Sequence, residues 1–323
     1  MRAAGAAALS LAAAAALAQG RPEAVVTTLT LFAGTSSGLY WSRNWGADWE
    51  RRDEGATQAI LPLGPRVLAG GSNGLIVSED FGQKWQRIEA GASVLAVLIS
   101  RYPQSDPTMF VGTPAGLLKS EDNGRTFKPT PLKDTPVHRL EWPGPALVIA
   151  TGRGVAISTD GAATFLPAPT GLPEASVRAL ALSSYFVMDP VMFAGVAGGG
   201  VFRSSDGGKT FTPSGLAEAG VNDLVWLGPL LYAATDQGIF RSQDAGATWQ
   251  PLGKGLEGRA ALRLMFPLAP AAGLEAFVGT DRGVFHTMDG GETWRPSGLG
   301  EERVLALATF PPPEPPPATR RKR

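Results

Sequence analysis

The chain contains no cysteine and two histidines, His138 and His286. Thiolate catalysis, disulfides and zinc–thiolate sites are therefore excluded. A Ser-His-Asp triad or an imidazole metal cage would have to use one of those two rings. Neither has a second ligand-type residue at useful spacing, so no metal and no cofactor is expected. Carboxylates are the remaining chemical resource. Cleaving a glycosidic bond takes two of them at a set separation, or a tyrosine nucleophile beside a glutamate. The four tyrosines are Tyr40, Tyr102, Tyr185 and Tyr232. Tyr40 and Tyr232 stand among apolar strand residues, and Tyr102 and Tyr185 fall in long connections. The glycines of GVAGGGVF are turn glycines and not a phosphate cradle, because no helix follows them.

Seven of the polar residues belong to a repeat. The pattern Ser-x-Asp-x-Gly-x-Thr-Trp begins at Ser42, Ser78, Ser120, Ser158, Ser204, Ser242 and Thr287. Its acidic position is Asn44, Asp80, Asp122, Asp160, Asp206, Asp244 and Asp289. Each part has a structural reason. The Asx side chain accepts backbone N–H groups two or three residues on and folds the turn. The glycine takes a left-handed conformation. The Ser or Thr hydroxyl ties the incoming strand to the turn, and the final Trp or Phe buries apolar surface. These acids are read as structural. Asn44 still forms an Asx turn, and Ala162 replaces the fourth glycine with Gly161 beside it.

The elements around each box are short and regular. An apolar strand, a small-residue turn and a second apolar strand precede it, as in MFVGTPAGLLKS. One more apolar strand lies upstream and a short polar strand follows. The unit is thus four strands, A to D, with the box as the C–D turn. Four-stranded units repeated around an axis are propeller blades. The expected fold is all-β: a seven-bladed β-propeller of four-stranded antiparallel blades over residues 25–310. Steps between boxes run 36, 42, 38, 46, 38 and 45 residues, which suggests duplication of a two-blade unit. The first blade begins with a B-type strand, whereas RVLALATF near the C-terminus reads as an A strand. That strand should complete blade one and remove an exposed sheet edge.

The ends and the composition set the context. MRAAGAAALSLAAAAALAQG has the form of a signal peptide over residues 1–18, cleaved near Ala18. A periplasmic or secreted protein with no transmembrane segment is expected. Residues 311–323, PPPEPPPATRRKR, read as a Pro-rich, basic, disordered tail. With 29 basic and 29 acidic side chains, the formal net charge is zero. No nucleic-acid partner is expected without a basic excess.

Seven boxes with AGT or VGT strands and GG(K/E)T(W/F) turns resemble the BNR, or Asp-box, propellers. The resemblance covers about residues 25–310. That superfamily includes sialidases, the sortilin luminal domain, xyloglucan-type glycoside hydrolases and the photosystem II stability/assembly factor group. Size, a single seven-bladed domain and the leader are most similar to the last group. Sortilin has more blades and a Cys-rich appendage, and this chain has neither. The motif specifies a fold and leaves the activity open. A sialidase would show six blades and an early Arg-Ile-Pro segment, which is missing here.

Function in such a fold is expected at the mouth made by the D–A and B–C loops, opposite the boxes. The B–C loops carry Arg153, Asp236, Asp281 and Arg282. Aligned A strands place Ala59, Ala96, Arg139, Ala179, Asp223, Arg263 and Ala306 in one column. That column should line the channel, with Arg139, Asp223 and Arg263 as its charges. The next column, from Ile60 to Leu307, should pack between blades. Two readings follow. One is a non-catalytic exported scaffold, a monomer, binding a protein or peptide partner, for example in envelope assembly. The other is a carbohydrate-active glycoside hydrolase that takes a glycan at its mouth carboxylates.

Overall fold

The computed structural model describes residues 30–100, 102, 105–267 and 275–310. They form strands and turns only, and no helix is long and apolar enough to cross a membrane. The expected signal peptide and Pro-rich tail lie outside the described residues. Seven antiparallel sheets stand around an axis, and each innermost strand touches those of its two neighbours. The protein is a seven-bladed β-propeller.

The second strand of every blade carries most of the burial. Leu31–Thr35, Met109–Thr113, Leu147–Thr151, Met192–Val196 and Ala276–Thr280 are buried at all five positions. Both faces of these strands meet a neighbouring blade, so they read as continuous apolar runs without alternation. Phe32, Phe110, Phe193 and Phe277 are fully buried. Each contributes about 1.5–3 kcal/mol relative to exposure. Toward the axis the blades converge and side chains must shrink. A Cβ on Gly112 would meet Val137 Cγ1 at 2.6 Å, and one on Gly279 would meet Val304 Cγ1 at 2.5 Å. This close approach explains the repeated small residue of the VGT strands.

The ring closes through both ends of the described chain. Strand Val304–Thr309 pairs with Leu31–Thr35 as the innermost strand of blade one, with Leu31 opposite Thr309 and Phe32 opposite Ala308. Phe310 then packs edge-on against Phe32, with ring centroids 5.4 Å apart. The fourth blade departs from the expected four strands. It holds Val137–Glu141, Leu147–Thr151 and Gly154–Ser158, without a fourth ladder strand. Its outer segment makes one ladder bond, Leu166 N–H to Ile157 O at 2.9 Å.

The boxes fold as turns that satisfy themselves. In the fifth, Ser204 Oγ donates to Asp206 Oδ1 at 2.8 Å and accepts Gly208 N–H at 2.9 Å. Asp206 also accepts Lys209 N–H, Thr210 N–H and the Thr210 hydroxyl. The accepted amides lie three and four residues on, one further than the sequence pattern suggests. Asn44 reproduces the arrangement, accepting Ser42 Oγ and Asp48 N–H. The fourth box is strained where Ala162 takes φ +69° itself, so Gly161 does not spare it. A left-handed alanine costs about 1–2 kcal/mol.

Candidate functional site

The innermost strands share a defect that sets what faces the axis. In six of the seven, the register slips by one residue against the second strand, between Thr57 and Ala59, Val137 and Arg139, and at matching points elsewhere. A bulge of this kind leaves one residue unpaired and re-aims it. The bulged residues are Gln58, His138, Arg178, Asn222, Leu262 and Leu305. With Leu95 of the third blade, they ring the mouth of the axial channel beside Arg263 and Arg303. The cavity they enclose is about 240 Å³.

Six of the seven residues of the column expected to line the channel border an axial cavity, and Ala179 does not. Ala179 is fully buried and packs with Val221 of the next blade. Ala59, Ala96 and Ala306 border a second, deeper cavity of about 300 Å³, which Arg139, Asp223 and Arg263 also line. The neighbouring apolar column packs between blades at Leu140, Leu180, Leu224 and Leu264. Ile60, Val97 and Leu307 are half-buried and border the deeper cavity as well.

The deeper cavity brings together the three charges singled out in the sequence. Arg139 Nη1 lies 3.9 Å from Asp223 Oδ1, and Arg139 Nε donates to Glu141 Oε1 at 3.2 Å. Asp223 is 4% exposed. Its Oδ1 accepts Leu224 N–H and its Oδ2 accepts Leu264 N–H of the next blade, both at 3.0 Å. The carboxylate thus pins two inner strands together. Burial disfavours the Arg139 charge, but Asp223 and Glu141 outweigh it and hold the guanidinium above its usual range. Arg263 shifts the other way. Burial draws it below the usual guanidinium range, Asp223 opposes this, and repulsion from Arg139, Arg178 and Arg303 adds to it.

Asn222 organises the mouth above. Its amide nitrogen donates to Asp236 Oδ1 at 2.7 Å and to Ala261 O at 3.0 Å. Its side-chain oxygen accepts Arg178 Nη1 at 3.0 Å, and its carbonyl accepts Arg263 Nη1 at 3.1 Å. Arg263 Nη1 also donates to Leu262 O at 2.7 Å. His138 Nε2 lies 3.1 Å from Ser176 Oγ. Burial first, then the charges of Arg178 and Arg263, lower its pKa and favour the neutral ring.

The other mouth residues stand apart from the channel. Arg153, Asp236 and Arg282 are exposed at B–C turns. Arg153 N–H and Arg282 N–H each donate to the threonine hydroxyl that ties their turn. Asp281 Oδ1 accepts Ala260 N–H at 3.1 Å. At the rim of blade one, Tyr40 is better placed than its apolar neighbours suggest. Its hydroxyl donates to Glu302 Oε1 at 3.4 Å, and Ser37 Oγ donates to the same oxygen at 2.7 Å. His138, Arg178, Asn222, Glu141 and Arg303 are the channel residues that the strand alignment misses. A polar residue between Val and Ala in VRALAL and between Val and Asp in VNDLVW is the signal that marks the bulge. Among the described residues, no cluster of His, Cys, Asp and Glu could hold a metal ion.

No protein-family model matches the chain, and no curated protein matches it in sequence. Solved structures share the fold. The crystal structure of a GH74 xyloglucanase from Xanthomonas campestris superposes with TM-score 0.58 at 13% identity, covering 83% of this chain and 46% of that one. This chain thus spans less than half the xyloglucanase. YCF48 bound to D1 peptide superposes with TM-score 0.61 at 17% identity, covering 82% and 94%. YCF48 from Cyanidioschyzon merolae gives TM-score 0.61 at 16% identity, covering 82% and 97%.

Proposed function

We propose that this chain is an exported, non-catalytic propeller, periplasmic or secreted, that binds a protein or peptide partner at the channel-mouth face and serves as an assembly scaffold. One observation carries the reading. The carboxylates that a hydrolase would need are already engaged by the scaffold. Asp223 accepts two backbone amides, Asp236 accepts Asn222, and Asp281 accepts Ala260 N–H. A general acid or base must reach a substrate atom, and a side chain that holds two blades together is poorly placed to do so. The YCF48 structure bound to a peptide adds support, since its chain is almost fully matched in length by this fold.

Pull-down from envelope extract of the source cell, with the mature chain as bait, tests the proposal. One or a few proteins retained and released by mutations at the mouth are expected. A clean absence of partners under mild conditions would count against it.

The second reading is a glycoside hydrolase, and the Tyr40–Glu302 contact favours it, because a tyrosine beside a glutamate is the pair that sialidase-type chemistry uses. A screen of glycan classes with Asp281→Ala and Tyr40→Phe controls separates the two. The scaffold reading expects no turnover. Turnover that either substitution abolishes would establish the hydrolase.

A further inference from the structure

We propose that the mouth of the axial channel is a binding site for a compact oxyanion group, a carboxylate or a phosphate, held by Arg178, Arg263 and Arg303. The three guanidinium groups line one cavity of about 240 Å³ whose other walls are neutral or apolar, and no carboxylate lines it. Among the described residues, none of the three forms a salt bridge. The nearby acids are committed elsewhere. Asp223 faces the deeper cavity, where Arg139 and two backbone amides hold it. Asp236 accepts the Asn222 amide.

Two of the three cations are held in place. Arg178 donates to Asn222 Oδ1, and Arg263 Nη1 donates to two carbonyls. Like charges held this close repel one another, and an anion between them relieves the repulsion. Burial lowers the Arg263 pKa, Asp223 opposes this, and repulsion from Arg139, Arg178 and Arg303 adds to the lowering. Planar guanidinium forks match the oxygens of carboxylate and phosphate. The cavity admits a group of a few heavy atoms, as a free ion or as the end of a larger ligand. This site does not depend on the identity of a protein partner, and failure of the pull-down leaves it standing.

The chain supplies its own reporter. It has two histidines. His138 faces the site, with Ser176 and Arg178 from the fifth blade and Arg263 from the seventh around it. His286 lies at the box end of the seventh blade, stacked on Phe277 and 2.8 Å from Glu275. The experiment is an NMR titration of both imidazoles in the full chain against pH. It is run with inorganic phosphate, with succinate, and with chloride at matched ionic strength. A bound anion should raise the His138 pKa by roughly one unit, saturably, and leave His286 unmoved. A response to phosphate alone identifies a phosphate-bearing ligand, and a response to succinate alone identifies a carboxylate. Arg178→Gln and Arg303→Gln alter exposed side chains. Each should weaken the apparent affinity about tenfold or more, with the melting temperature unchanged as the check on folding. The proposal is overturned if both histidines move together, if chloride reproduces the His138 shift, if millimolar phosphate and succinate leave His138 unmoved, or if both variants keep the response.

Discussion

At the box end of the propeller, each carboxylate is met by donors from its own turn. Asp160 accepts the hydroxyls of Ser158 and Thr164 and the amides of Ala163 and Thr164. At the channel mouth, Arg178, Arg263 and Arg303 converge on a cavity with no carboxylate in its wall. The first region repeats seven times with near-constant geometry, and the second occurs once. A polar group that recurs in every blade and is satisfied within a few residues serves the blade. A charge that breaks the repeat and lacks its counter-charge is the one available to something outside the chain.

Asp223 is the residue that tests this division most severely, because it sits in the channel yet behaves like a box acid. Asp223→Ala should cost about 2–4 kcal/mol, since it leaves two buried amides without an acceptor while Arg139 keeps Glu141. Urea unfolding measures it. A loss below about 1 kcal/mol would return Asp223 to the pool of free mouth charges.

Acid should act on the box end as a group. Threonine hydroxyls first, then backbone amides, hold Asp122, Asp160, Asp244 and Asp289 at about 2, below their ordinary 3.8. Their folded pKa values are depressed, so the stability they contribute is complete above 3.8 and is lost as pH falls through about 2. Thermal melts across the acid range should be flat above the upper limit and fall steeply within that window. A loss beginning near neutrality would point to another group.

The smallest stability effect belongs to the mouth. Arg178→Gln should change unfolding stability by no more than about 0.5 kcal/mol while weakening anion binding about tenfold or more. A large loss of stability would make Arg178 scaffold and erase the distinction between the two ends.

The same contrast explains what the sequence makes legible. Seven boxes declare themselves because each turn needs Ser, Asp, Gly and an aromatic at fixed positions. The closing strand is legible because RVLALATF keeps the alternation of an inner strand without a blade of its own. The mouth is harder to read. Gln58, Leu95, His138, Arg178, Asn222, Leu262 and Leu305 share a place in space but no chemical type. What unites them, Leu95 excepted, is a one-residue slip in backbone pairing, which constrains no particular side chain. The strand alignment finds the deeper cavity, through Ala59, Ala96, Arg139, Asp223, Arg263 and Ala306, and misses the ring of bulged residues above it.

The closure of blade one has a consequence for the order in which the molecule can come into being. Thr309 Oγ1 donates to Thr30 O across 279 residues of chain. Until the ribosome has delivered Val304–Thr309, the first blade has no inner strand and Phe32 has no Phe310 to cover it. Contacts so distant in sequence form slowly, because a long loop must close before they are made. Until that strand docks, the blades form an arc with one raw edge. Docking of Val304–Thr309 converts that arc into a ring.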